Sequence, residues 1–123
     1  MLGKQEIWDR LKYQSRWLTT TRTAIFAAAI SEQNMRRIVA IWLNGNVQVQ
    51  LNPMLEKYVE GDTWETIFCP IPVPPTDLIQ IPMGSYSITD PIFCLEGGSN
   101  LYGTTDVTGH SLNVTVAYWD NDI

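Results

Sequence analysis

From residue 19 onward, short stretches of alternating apolar and polar residues are separated by clusters of turn-forming residues. The last stretch, 112–119, shows the pattern most clearly. Leu112, Val114, Val116 and Tyr118 alternate there with Asn113, Thr115, Ala117 and Trp119. Successive side chains of a strand point to opposite faces, so this stretch is predicted to be a strand with one face in the core. A helix repeats every 3.6 residues and cannot sort this pattern into two faces, so the body must be mainly β.

About eight short strands are predicted, in segments separated by turn-forming residues. The candidate segments are 19–28, 36–43, 47–51, 63–73, 78–82, 86–88, 91–95, 101–107 and 112–119. Asn44 and Gly45 are expected to form a two-residue hairpin turn, because a type I′ turn needs positive φ at both positions. Pro70 and Pro72 indicate a sheet edge, since proline cannot donate to a ladder. The pattern predicts a two-sheet antiparallel sandwich, most simply jelly-roll-like.

The N-terminal segment differs, because residues 4–18 contain neither Gly nor Pro and place Ile7, Leu11 and Leu18 at helical intervals. We predict an amphipathic helix over 4–18. The 123 residues then divide into an N-terminal helical docking arm, 1–18, and a β-sandwich domain, 19–123. Apolar groups on two sides of the helix indicate two contacts, one with the body and one with a partner. The alternative is that the helix only caps the sandwich.

Charge is distributed unevenly along the chain. Seven of the eight Lys and Arg residues lie within the first 37 residues, and the net charge is −5. A basic front end on an acidic body favours docking onto an acidic protein surface or onto the next copy. The residues expected to contact the partner are Trp8, Arg10, Lys12, Tyr13, Arg16 and Trp17. Nucleic-acid contact is expected at this end at most, because an acidic body repels a polyanion.

Few residues form a pattern that carries chemistry. His110 is the single histidine, and with Asp106 and Ser111 it is interpreted as part of a turn. Cys69 and Cys94 lack metal-ligand spacing and are expected to be small buried hydrophobes. We therefore expect no enzyme activity, no metal and no cofactor. No apolar run is long enough to span a bilayer, so no membrane partner is expected, and the N-terminus does not have the pattern of a secretory signal.

The five tryptophans allow two interpretations. They could form a platform on which sugars stack, with Trp64 and Trp119 as the residues to test. The alternative is that they fill the core and interfaces, where aromatic residues contribute large apolar area.

Three passages, RRIVAIWLNGN, PIPVPPTDLIQIP and SLNVTVAYWDND, together resemble the small β-sandwich proteins of tailed-phage virions, in particular head decoration or cement proteins. The resemblance covers residues 19–121 and is one of layout. It implies a non-enzymatic bacteriophage structural protein, made in the host cytoplasm and located in the virion. Its implied partners are the major capsid protein or neighbouring virion subunits, and it implies a homo-oligomer, with a trimer favoured. The alternative function is a carbohydrate- or receptor-binding module of a virion or tail.

Overall fold

The structure is a computed structural model that describes residues 3–58 and 63–122. Within these residues it has one short helix and nine strands in two antiparallel sheets, which confirms the predicted sandwich. The helix α1 spans Lys4–Arg10. The strands are β1 Lys12–Leu18, β2 Thr23–Ala24, β3 Asn34–Asn44, β4 Met54–Tyr58, β5 Trp64–Phe68, β6 Leu78–Ile81, β7 Phe93–Leu95, β8 Asn100–Thr104 and β9 Leu112–Asp122.

Two long central strands organise the first sheet, whose order is β1-β9-β3-β6. β3 and β9 have 11 residues each and pair antiparallel from Asn34–Asp122 to Asn44–Asn113, with Val39 unpaired at the register shift. The other edge of β3 is shared, because β7 pairs with residues 36–38 and β6 with residues 41–44. The β3–β9 register shifts between Ile38 and Ala40, at the point where β3 passes from one neighbour to the other. The second sheet has the order β2-β8-β4-β5.

The core lies between the sheets and follows the alternation predicted for β9. Leu112, Val114 and Val116 are fully buried there, facing the other sheet. Further fully buried side chains from the two sheets are Leu18, Ile38, Ile41, Leu43, Leu55 and Leu101. Full burial of one such side chain contributes roughly 1.5–3 kcal/mol, so this layer is the main source of stability.

A smaller apolar cluster covers one half of the outer face of the first sheet. Its buried members are Ile7, Val39, Ala40, Ile88, Ala117 and Trp119. Ile7 belongs to α1, and the Ile88 carbonyl accepts a hydrogen bond from Trp119 Nε1 at 2.8 Å. One apolar side of α1 is therefore attached to the body, as the sequence predicted for one of its two contacts.

The helix prediction is wrong for residues 12–18, which form β1. Seven consecutive residue pairs join β1 to β9, and Leu18 at its end is fully buried in the core. A helix over these residues would leave the edge of β9 without its neighbour and would remove Leu18 from the core. Pairing and burial outweigh the local helix preference, since propensity is a weak prior that tertiary context overrides. Residues 12–18 lie within the first sheet.

The predicted Asn44-Gly45 hairpin is also wrong. Both edges of β3 are already occupied at Asn44, which pairs with Asn113 on one side and Leu78 on the other. Gly45 instead donates its N–H to the Asp77 carbonyl at 2.7 Å. A Cβ at Gly45 would lie 2.6 Å from the Pro74 carbonyl oxygen, so glycine is required here by close backbone approach.

Other segments differ from the prediction mainly in their bounds. The segment predicted at 19–28 is a strand only at Thr23–Ala24, and residues 86–88 form no strand. β5 lies at an edge of the second sheet, as predicted for its segment, whereas Val73 meets Leu51 only in an isolated bridge. The prediction that Cys69 is buried is wrong, because this thiol follows the end of β5 and is exposed.

Replacing Gly45 with Ala should destabilise the fold. The new methyl group would meet backbone atoms of Pro74 and Asp77, which move only if the end of β3 separates from residues 74–77. We expect the free energy of unfolding, measured by urea denaturation, to fall by about 1–3 kcal/mol, as in other overpacked sites. Gly3→Ala is the control, because its methyl group would have ordinary contacts. Equal stability of the two variants would contradict close approach at Gly45.

Candidate functional site

The structure divides the six predicted contact residues among three regions. Tyr13 and Trp17 point away from the core on the outer face of the first sheet, where they pair with Ala117 and Asn113. Arg16 lies on the opposite side of β1, and its Nε donates to the Ile25 carbonyl at 3.1 Å. The remaining residues lie on α1 or at the start of β1. The six residues therefore do not form one continuous surface.

Trp8, Arg10 and Lys12 form the first region, which we call the N-terminal end. Trp8 is 50% exposed on α1, while the neighbouring Ile7 is buried against the sheet. Arg10 donates from its guanidinium to the Asp120 carbonyl at 3.2 Å. Arg10 and Lys12 line a shallow depression of about 300 Å³ together with Asp9 and Asp120. The N-terminal end thus combines an exposed indole with charges of both signs.

Two bases of the basic first 37 residues, neither of them among the predicted contact residues, are paired within the molecule. Arg22 binds Glu56 through two hydrogen bonds of 3.1 Å. Arg36 binds Asp120 through two hydrogen bonds of 2.7 and 2.8 Å. In each pair the base comes from the first 37 residues and the acid from the later chain. The uneven charge along the sequence therefore overstates the charge separation in space.

The second region is the half of the outer face of the first sheet that α1 does not cover, which we call the open face. The registers of β1, β9, β3 and β6 arrange it in two rows of four residues. One row is Ser15, Thr115, Trp42 and Gln80, and the other is Trp17, Asn113, Asn44 and Leu78. Trp17 is 64% exposed, and none of the eight side chains is ionisable in the accessible pH range. The open face is therefore an uncharged surface of indole, amide and hydroxyl groups with one exposed aliphatic side chain, Leu78.

Hydrogen bonds orient the polar groups of the open face. The Asn113 amide donates from Nδ2 to the Arg16 carbonyl at 3.4 Å. Its Oδ1 accepts from the Thr115 hydroxyl at 3.2 Å, and Thr115 lies 2.8 Å from the Ser15 hydroxyl. Because Thr115 donates to Asn113, Ser15 donates to Thr115 and keeps free lone pairs. Asn113 retains one N–H and one lone pair for a ligand.

A depression of about 450 Å³ lies at one end of the open face. Trp17, Asn44 and Asn113 line it from the sheet. The loops contribute Gly45, Asn46, the exposed apolar Val47, Thr76 and Ser111. Asn46 is held in place, because its Oδ1 accepts from the Gln48 N–H and its Nδ2 donates to the Ser111 carbonyl, both at 2.8 Å. Thr76, in the turn after Pro74 and Pro75, has a φ of 61°, a left-handed conformation that is strained for a β-branched residue.

Aromatic contacts hold the inner part of this face in place. Trp42 packs edge-on against Tyr86 at 5.7 Å and lies 6.2 Å from Tyr13, centroid to centroid. Its Nε1 donates to Gln80 Oε1 at 3.0 Å. The hydroxyl groups of Tyr13 and Tyr86 are 3.5 Å apart, and this contact, with a contribution from burial, raises the pKa of Tyr86. The Trp42 side chain is therefore held in one position by its neighbours, whereas the Trp17 side chain is exposed and can contact a ligand.

The two tryptophans suggested by the sequence as a sugar platform do not form one. Trp119 is buried, and its indole N–H is bonded to the Ile88 carbonyl. One ring face of Trp64 is covered by the Arg22 guanidinium at 3.7 Å, and Tyr58 and Tyr102 pack against the ring at 5.2 and 4.7 Å. Sequence reasoning missed Asn113 and Thr115, although the alternation of β9 already placed both on the outer face.

Asp106 and His110, two of the turn residues suggested by the sequence, have different hydrogen-bond partners. Asp106 accepts two hydrogen bonds from Asn52, from Nδ2 at 2.7 Å and from the backbone N–H at 2.9 Å. These bonds, the side-chain one first, hold the pKa of the Asp106 carboxyl below its ordinary value. His110 lies in a turn and donates its backbone N–H to the Val107 carbonyl at 3.3 Å. Within residues 3–58 and 63–122, no three His, Cys, Asp or Glu side chains are close enough to share a metal ion.

Comparison with known proteins gives a distant structural likeness. No protein-family model matches the chain, and no curated protein matches its sequence. A chain in the crystal structure of the T13 IBDV viral particle aligns with a TM-score of 0.45 and 14% identity, over 90% of this chain and 36% of that one. That particle is a virus capsid and not a phage decoration protein, and a likeness at this level adds nothing to the functional argument. Among the helices described, none is long and apolar enough to cross a membrane.

Replacing Asp106 with Asn should make the free energy of unfolding depend less on pH below neutrality. The folded pKa of Asp106 lies below the unfolded one, so the ionised carboxylate stabilises the fold at neutral pH. This contribution is lost as the pH falls through the folded pKa, below about 3.9. We expect Asp106→Asn to be less stable than the parent at about pH 6 and the difference to shrink toward about pH 2. Urea denaturation at several pH values measures this, and a constant difference would exclude the carboxylate charge as its cause.

Proposed function

We propose that this protein is a structural component of a virion that binds an assembled capsid lattice through its N-terminal end. The observation that carries the proposal is Trp8, which is half exposed on a helix whose other side is already packed on the sandwich. An exposed tryptophan held on an attached helix has the properties of an interface anchor, because it buries large apolar area at little cost in conformational entropy. The virion setting comes from the sequence resemblance to head decoration and cement proteins.

The proposed partner is the major capsid protein or a neighbouring virion subunit, and copies are proposed to associate as a homo-oligomer. A ligand that binds only the assembled state stabilises that state by mass action. On a lattice the contribution is repeated at every site, and contacts at several points raise the effective affinity. A modest contact through Trp8, Arg10 and Lys12 is therefore sufficient for a reinforcing role.

Substitution is a better test than truncation. Removing residues 1–18 would delete β1 and the fully buried Leu18, so the remaining chain would lose part of its core. Single changes at exposed positions leave the sandwich intact and affect only the surface.

Replacing Trp8 with Ala should weaken lattice binding without affecting the fold, because alanine favours the helix at this position. We expect the affinity for capsids assembled from the cognate major capsid protein to fall by about tenfold or more, equivalent to ~1.4 kcal/mol, in a co-sedimentation assay. Val47→Ala is the matched control, since Val47 is a 76% exposed apolar residue beside Trp17, at the half of the outer face that α1 does not cover. Unchanged binding of Trp8→Ala, or an equal loss in the control, would exclude docking through the N-terminal end.

Lys12 provides an electrostatic test of the same surface. It is exposed at the start of β1, and an acidic lattice surface would attract it. We expect Lys12→Glu to weaken co-sedimentation, Lys12→Gln to have a smaller effect, and both effects to decrease between about 50 mM and 500 mM salt as screening increases. A loss that is independent of salt would contradict attraction to an acidic surface.

A further inference from the structure

We propose that the open face binds a neutral oligosaccharide, with one sugar ring stacked on Trp17 and its hydroxyl groups bonded to Asn113 and Asn44. This inference goes beyond the lattice role and does not depend on it, because the N-terminal end and the open face share no residue. The depression of about 450 Å³ beside Trp17 is where the ring would lie.

The charge of the open face selects the class of ligand. All eight register positions carry uncharged side chains, although 17% of the residues in this chain are charged. A phosphate, a sulphated glycan or a basic peptide would find no counter-charge among them. Neutral ligands with many hydroxyl groups match the amide and hydroxyl groups that are present.

Hydrogen bonds already orient Ser15, Thr115 and Asn113 for such a ligand. The chain of hydrogen bonds from Ser15 through Thr115 to Asn113 leaves an acceptor at Ser15 and both a donor and an acceptor at Asn113. Within the described residues no hydrogen bond of the Asn44 side chain is found, and this amide is exposed beside the same depression. Donors and acceptors that are oriented in advance reduce the entropy lost on binding.

The exposed indole supplies the apolar part of the contact. The axial C–H groups of a pyranose form an apolar face that can pack on the negative face of an aromatic ring. Trp17 is 64% exposed, whereas Trp42 two strands away is fixed by Tyr86 and Gln80. The two indoles lie two strand spacings and one row apart, a separation of roughly 12 Å, so the face accommodates more than one sugar unit.

A protein partner or a second copy is less well matched to this face. A protein that buried the Ser15–Thr115–Asn113 chain would have to place matching polar groups against each of its free donors and acceptors, because any group left unpaired would cost binding energy. A sugar supplies hydroxyl groups to these positions and leaves its other side in water.

The test uses the full chain with four soluble hexasaccharides: cellohexaose, maltohexaose, mannohexaose and chitohexaose. We expect at least one to quench tryptophan fluorescence in a saturable way and to release heat in isothermal titration. Trp17→Ala should weaken that binding by about tenfold or more, equivalent to ~1.4 kcal/mol. Asn113→Ala should weaken it as well, by removing one donor and one acceptor. Binding of none of the four sugars would overturn the proposal.

The matched control is Trp8→Ala, which removes an indole of similar exposure from the other surface. We expect this variant to bind the sugar as the parent does. Equal loss in Trp8→Ala and Trp17→Ala would overturn the assignment to the open face. Sedimentation velocity of the parent and of Trp17→Ala tests the competing occupant, and loss of a dimer in the variant would show that a second copy covers this face. Since lattice binding is tested separately by Trp8→Ala, either proposal can fail without the other.

Discussion

The pairing of β3 with β9 is the interaction on which the rest of the structure depends. These strands are the longest of the first sheet, and their register determines which side chains face the core and which face outward. β1 is added on the free edge of β9, while β6 and β7 share the free edge of β3. A shift of the register by one residue would exchange the two faces of the sheet. The burial of Leu112, Val114 and Val116 on one face of β9 therefore specifies this register. The same register brings Trp17, Asn113 and Asn44 into one row.

Electrostatic pairing reinforces the same two strands. Arg36 on β3 and Asp120 on β9 are register partners, and the guanidinium also packs over the rings of Phe26 and Tyr118 at 4.4 and 4.5 Å. Two parallel hydrogen bonds to a partly buried carboxylate make this geometry more specific than a surface ion pair. The uneven charge along the sequence is thus partly balanced by folding, since Arg36 meets Asp120 within the first sheet and Arg22 meets Glu56 at the second. This pairing leaves fewer cations for a partner than composition alone indicates.

The fold class and the face of each β9 residue were predictable from sequence, because alternation is local and period 2 has only one structural interpretation. The secondary structure of residues 12–18 was not predictable from sequence. Tyr13, Ser15 and Trp17 fit one face of a strand as well as Ile7, Leu11 and Leu18 fit one face of a helix. The free edge of β9 decides between them, and an edge is a property of the whole sheet. The hairpin prediction at Asn44-Gly45 was wrong for the same reason, because β6 and β9 occupy both edges of β3. The six predicted contact residues were assigned to one helical arm, whereas four of them lie on β1, and the sequence could not separate faces that depend on register.

The short helix explains why the outer face has two different halves. Seven residues span only about 10 Å, so α1 can cover the part of the sheet built around Ala40 and Ala117 but not the rows beyond it. The covered half has small residues where the helix packs. The uncovered half has side chains that bond to each other, as Ser15, Thr115 and Asn113 do, and such groups remain stable in contact with water. A partner at Trp8 and a ligand at Trp17 would therefore occupy separate surfaces, which allows both to bind at the same time.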